Sequence, residues 1–158
     1  MKKKQQILQI IYGKKFKVHR IKIGYLYFCK AFFLSLKARK ILRQRGIYEA
    51  IEFASSKKKD LLVFNTEIEH MYCAREIVNY HMKLSRLLGR STICLERSIS
   101  ASALLAYLGV SHDFVLGKIR YFSGGNYPFH AWLEINGNCI NDISGVNEFV
   151  SRVYFKTF

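Results

Sequence analysis

The chain has 158 residues, half of them hydrophobic and 15% aromatic, enough to bury one core and too few for two ordinary domains; extended disorder is excluded. The four cysteines, Cys29, Cys73, Cys94 and Cys139, form no Cys-x-x-Cys pair and no regular framework, which excludes a secreted disulfide scaffold and points to a reducing cytoplasm. The net charge of +15 is uneven: residues 1–60 hold 17 basic and 3 acidic side chains, a net of +14, and residues 61–158 only +1. Two halves of such different charge suggest a basic, mainly helical N-terminal region (1–60) and a separate working core (61–158).

The opening "MKKK" resembles the start of a signal peptide, but "QQILQIIYGKK" is too short an apolar run and has no small-residue cleavage site. "IKIGYLYFCKAFFLSLK" is interrupted by Lys22 and Lys30, so no membrane span is expected. From Ile21 to Arg45 the pattern is helical, with Leu26, Cys29, Phe33 and Leu36 at spacings of three or four and Arg39, Lys40, Arg43 and Arg45 crowding the end. Gly46 is a natural stop for that helix. A shorter helical piece, "IYEAIEFA", precedes the linker candidate "SSKKKD".

"NTEIEHMYCAREIVNYHMKLSRLLG" predicts a long helix, opened by the capping-box pair Thr66 and Glu69 and closed at Gly89. The next helix starts near Cys94, with Ser91 or Thr92 as N-cap and Gly109 as terminator. Its middle, Ser98 to Ala103, is small apart from Ile99, which suits a central helix with close neighbours. After Gly109 the period becomes two, and "DFVLGKIRYF", "FHAWLEI" and "CINDI" predict three short strands. Helices followed by antiparallel strands make an α+β domain.

Cys94, His130 and Asp142 stand out. A cysteine in the first turn of a helix meets free N–H groups and the positive dipole end, which stabilise a thiolate and can receive an oxyanion. A histidine base and a group that orients it complete nucleophilic catalysis. His130, Trp132 and Glu134 alternate onto one strand face. A three-residue loop, Asn136 to Asn138, pairs Trp132 with Asp142 and brings His130 and Asp142 diagonally together, whereas a two-residue Asn136-Gly137 loop turns Asp142 to the opposite face. The three-residue loop is therefore the expectation.

The segment "CLERSISASALLAYLGV", followed by "HAWLEINGNCIND", resembles the lasso peptide leader peptidases, the transglutaminase-like protease half of the split B protein. The resemblance runs from about Arg75 to Ile143 and more loosely over the basic N-terminal region. It implies a papain/transglutaminase-like fold and a Cys94, His130, Asp142 triad, and matches Arg97 to a family-typical position without a role. It also implies hydrolysis of the leader–core bond of a ribosomally made precursor, one residue after a penultimate leader threonine. The implied partners are the precursor, a separate small leader-binding protein and a macrolactam-forming cyclase. Phe129, where alanine is common, and the "YFSGGNY" loop depart from the family pattern.

Blander roles are assigned elsewhere. Trp132 is read as core packing against His130, Gly124 and Gly125 as turn residues, and Glu134 as solvated or salt-bridged. Cys29, Cys73 and Cys139 are structural thiols. His70, Cys73 and His81 near one helix face invite zinc, but no fourth ligand has a recognisable spacing, so no metal or cofactor is expected. The basic region reads as a docking surface for the precursor complex or partner enzymes, with an anionic membrane surface next and no specific nucleic acid. Rival functions are acyl transfer or amide crosslinking on the same triad, and a non-enzymatic basic protein binding nucleic acid or membrane.

Overall fold

The computed structural model describes residues 16–18, 21–59, 61–87, 93–119, 129–141 and 149–156. A small hairpin of β1 (Phe16–Val18) and β2 (Ile21–Ile23) leads into α1 (Tyr25–Arg45). The expected helix start at Ile21 is thus displaced: residues 21–23 are strand, and Gly24 begins the helix by accepting from the Phe28 N–H. Then come α2 (Ile47–Ser55), α3 (Glu67–Leu87) and α4 (Cys94–Leu108). Four strands finish the chain: β3 (Asp113–Ile119), β4 (Phe129–Ile135), β5 (Asn138–Cys139) and β6 (Phe149–Lys156). They form an antiparallel sheet of order β5-β4-β3-β6. The architecture is α+β, as expected.

Local chemistry sets the helix ends. Gly46, at φ 107°, ends α1 and begins α2. The Thr66 hydroxyl accepts from the Glu69 N–H at 3.1 Å, and the Glu69 carboxylate reaches back to the Asn65 N–H at 3.0 Å, a capping box shifted by one residue on its return arm. Gly109 closes α4 in the left-handed region at φ 82°, with its N–H on the Ala106 carbonyl and the Val110 N–H on the Leu105 carbonyl. Gly89, Ser91, Thr92, Gly124 and Gly125 lie outside the described residues.

The core forms around α4, which is buried at every position from Ser98 to Leu108. Its most extensive helix partner is α1. The face that α1 buries is Phe28, Ala31, Phe32, Ser35 and Ala38, not the expected one; Leu26 is 77% and Phe33 69% exposed. Ala31, Ser35 and Ala38 have little side chain, so this face approaches the small residues of α4 more closely than a Leu/Phe stripe would allow. The sheet meets the helical core through Phe114, Ala131, Leu133 and Ile135. Its other face carries Val115 and the fully buried Trp132. No helix among the described residues is long and apolar enough to cross a membrane.

Candidate active site

The site is built where β4 runs out of neighbours. β5 is only two residues long and pairs with the far end of β4, through Glu134↔Cys139 and Ile135↔Asn138. This is the two-residue loop, with Asn136 at φ 49° and Gly137 at φ 74°, both left-handed as a type I′ turn requires. The three-residue expectation is wrong, because Asn-Gly matches the right-handed twist of the strands at the shorter length. By the parity rule this register counts against the diagonal pairing of His130 with Asp142. The ladder stops at Ile140, whose N–H donates to the Leu133 carbonyl; the Leu133 N–H turns instead to the Asn141 side-chain oxygen at 2.8 Å. Asp142 lies outside the described residues.

Side chains of α4 serve the rest of that edge. The Ser98 hydroxyl donates to the Ala131 carbonyl at 2.8 Å and accepts from the Asn141 amide at 2.9 Å. The Ala131 N–H hydrogen-bonds the Cys94 sulfur. Cys94 and Ser98, four residues apart, share one helix face, so a single turn of α4 satisfies both backbone groups of Ala131. Neither Ser98 nor Asn141 stands out as a site residue in the sequence. The small-residue run in α4 and the Asn one step before Asp142 are the only signals they leave.

Cys94 is the first residue of α4, and its N-cap is Ile93, an extended residue with no capping side chain. This replaces the Ser91 or Thr92 cap read from sequence, and among the described residues no capping side-chain oxygen competes for the first-turn N–H groups. His130 hydrogen-bonds the Cys94 thiol and is the largest influence on it, lowering its pKa from the ordinary thiol value. Burial opposes that shift, while the Ala131 and Leu95 N–H groups and the charge of protonated His130 add to it. The first-turn acid, Glu96, faces α1: its carboxylate is 2.9 Å from Arg39 Nε and also bonded by Arg43. A negative charge two residues from the thiol is thereby neutralised by the basic helix.

His130 is further fixed by Trp132, whose ring stacks on it at 5.8 Å and 22°. Trp132 Nε1 donates to the Glu134 carboxylate at 2.6 Å, and Arg152 sits 5.7 Å from the Trp132 ring and 3.8 Å from Glu134. Glu134 is thus buried and salt-bridged, not solvated. A small, open cleft lies beside the sulfur, lined by Met82, Cys94, Arg97, Ser98, Ala131 and Asn141.

The family model for the transglutaminase-like superfamily matches residues 35–153. The chain belongs to that superfamily. Its folds are those of cysteine proteases and acyl transferases, and a thiol bonded to an imidazole at a helix start is chemistry of that kind. The superfamily match begins inside α1 and takes in Arg39, Arg43 and Glu96 as well as Cys94 and His130. No curated protein and no solved structure matches the chain.

The zinc candidates of α3 are dispersed into separate surroundings. His81 contacts Ser35 and the Phe32 ring, Cys73 is fully buried with its thiol pushed up to about 12 by burial, and His70 stacks on Phe64 at 4.6 Å. Among the described residues no group of His, Cys, Asp or Glu could hold a metal ion.

Proposed function

We propose that this protein is a cysteine peptidase that cuts the leader–core bond of a ribosomally made lasso peptide precursor. The observation that carries the proposal is the Cys94–His130 hydrogen bond at the uncapped start of α4. The Cys94 thiolate attacks the scissile carbonyl carbon, and the oxyanion is received by the Cys94 backbone N–H. The C–N bond breaks as the His130 imidazolium gives its proton to the leaving amine, leaving the leader as a thioester. Water then attacks that thioester while His130 takes its proton; the leader leaves as a carboxylic acid and the thiol is restored. Asp142 orients the imidazole in this scheme, and the residue before it, Asn141, is held on the edge of β4.

The partners in this scheme are the precursor, a small leader-binding protein and a cyclase that closes the new N-terminus. The exposed cations of α1 and of Lys57, Lys58 and Lys59 after α2 offer them a docking face, with contact to an anionic membrane surface as the alternative use. Acyl transfer differs only in the group that resolves the thioester, an amine in place of water.

The test mixes the protein with a precursor and its leader-binding protein and weighs the products. Hydrolysis yields a leader with a free carboxylate, whereas amide formation yields a leader joined to the amine. Cys94→Ala and His130→Ala each abolish turnover, and Asp142→Asn lowers kcat by about 10²-fold or more. Cleavage that survives Cys94→Ala sinks the proposal. Alkylation of Cys94 followed against pH checks the chemistry without a substrate: its midpoint lies below the ordinary ~8.5 of a free thiol, and His130→Ala moves it upward.

A further inference from the structure

The pocket beside Cys94 has a floor whose polar atoms are already committed. Ser98 is bonded to the Ala131 carbonyl and to Asn141, and Asn141 to the Leu133 N–H. Met82 makes one wall and offers no hydrogen-bonding group of consequence. Arg97 differs from all of these. No carboxylate and no hydrogen-bond acceptor for its guanidinium lies among the described residues, whereas Arg39 and Arg43 share Glu96. Nor does Arg97 activate the nucleophile: the groups that lower the Cys94 thiol are His130 and the N–H groups of Ala131 and Leu95.

A half-buried guanidinium with no partner among the described residues and no part in forming the thiolate is available to whatever enters the pocket. Its position says what that is. Residues three apart on a helix have Cβ atoms about 5–6 Å apart on one side, so Arg97 stands over the pocket that Cys94 opens into. An extended peptide advances about 3.3–3.6 Å per residue, which puts a side chain one or two residues from the scissile carbonyl within its reach. The planar five-donor fork of arginine fits a carboxylate through two parallel bonds, and the neutral floor sets no second charge against it. A neutral carbonyl would fill only part of that fork and leave the cation uncompensated beside an apolar wall.

We propose that Arg97 forms an anion subsite next to the nucleophile and selects substrates carrying a carboxylate within two residues of the scissile bond. The subsite rests on Cys94 being the nucleophile, and the test separates the two. Iodoacetate and iodoacetamide are close to isosteric and differ in charge, so the ratio of their rates on Cys94 of the full-length protein reads the anion subsite. Damage to the site in general slows both reagents and leaves the ratio alone. Attraction of iodoacetate by protonated His130 is common to all the Arg97 variants and cancels between them.

Replacing Arg97 by Gln lowers the iodoacetate-to-iodoacetamide ratio about tenfold, the scale of one charge-assisted bond, and Arg97→Lys restores part of it. Added acetate slows alkylation by iodoacetamide in the wild type and not in Arg97→Gln. A reactive Cys94 whose ratio is the same in all three proteins overturns the subsite and leaves the peptidase proposal standing. A Cys94 inert to both reagents in the wild type overturns both together.

Discussion

Two buried histidines make the protein acid-labile by a predictable amount. His81 is 2% exposed and His112 4%. Ser35 gives its own proton to the Phe32 carbonyl at 2.6 Å, so its oxygen accepts from His81 Nε2 at 3.1 Å. His112 Nδ1 donates to the Val110 carbonyl at 2.8 Å, and its Nε2 accepts from Ser102 at 2.8 Å. Burial is the main cause that holds each pKa at about 4, from an ordinary 6.5. Nearby charge adds to it, from Arg39 at His81 and from His70 at His112, where the Val110 carbonyl pulls the other way.

The unfolded chain therefore takes up two protons near pH 6.5 that the native state refuses until about pH 4. Stability from this source is complete above pH 6.5, falls with pH across that window and levels off below it. At ~1.4 kcal/mol per pH unit the loss is on the order of 3 kcal/mol for each histidine and twice that for both, a large share of the ~5–15 kcal/mol that holds a domain together. Urea unfolding followed by far-UV circular dichroism measures it, and between pH 6 and 5 few carboxylates titrate to confuse the slope. The expected slope is roughly 2 kcal/mol per pH unit in that range. Substituting His112 by Asn halves it, even though the variant starts from a lower stability. A free energy of unfolding constant from pH 7.5 to 5 refutes the assignment of both histidines as neutral.

Two substitutions test how α4 is tied down. Ser98→Ala leaves the Ala131 carbonyl and an Asn141 N–H without their partner at a buried edge, which costs about 1–3 kcal/mol in a urea titration and returns the Cys94 thiol toward ordinary reactivity. A loss below ~0.5 kcal/mol with unchanged alkylation kinetics counts against that edge. Glu96→Gln removes the anion from a largely buried pair with Arg39 and destabilises by about 3 kcal/mol. A double-mutant cycle with Arg39→Gln should show coupling above ~1 kcal/mol, and additive losses would contradict the pairing.

Where a single residue decides an outcome locally, the sequence is easy to read. Gly46, Gly109 and the Thr66–Glu69 pair mark helix ends by their own conformations and hydrogen bonds, and all act as expected. The face of α1 is different in kind. The helix has large apolar residues on two sides, and only the partner α4, with its run of small residues, selects the side bearing Ala31, Ser35 and Ala38. Strand β6 is absent from the expectation, although "FVSRVYFK" alternates well, because nothing local says that it returns to pair with β3. The candidate site divides in the same way. Cys94 and His130 belong to a recognisable pattern 36 residues apart, while the service of Ser98 and Asn141 to the edge of β4 exists only once the helix is docked. The hairpin failed for another reason: two loop lengths were compatible with Asn-Gly, and strand twist decided between them.

The shortness of β5 has a consequence for the molecule's company. A strand edge with free N–H and C=O groups invites any other extended chain to pair with it, and proteins usually guard such edges with charge, proline or a bulge. Here β4 is guarded by the same atoms that build the candidate site: the Cys94 sulfur, the Ser98 hydroxyl and the Asn141 amide occupy the places a foreign strand would take. Protection against self-association and construction of a reactive thiol are thus one set of hydrogen bonds. A variant that loses Ser98 or Asn141 exposes a sticky edge as it loosens its cysteine, so aggregation and loss of thiol reactivity should travel together through any mutational series in this corner.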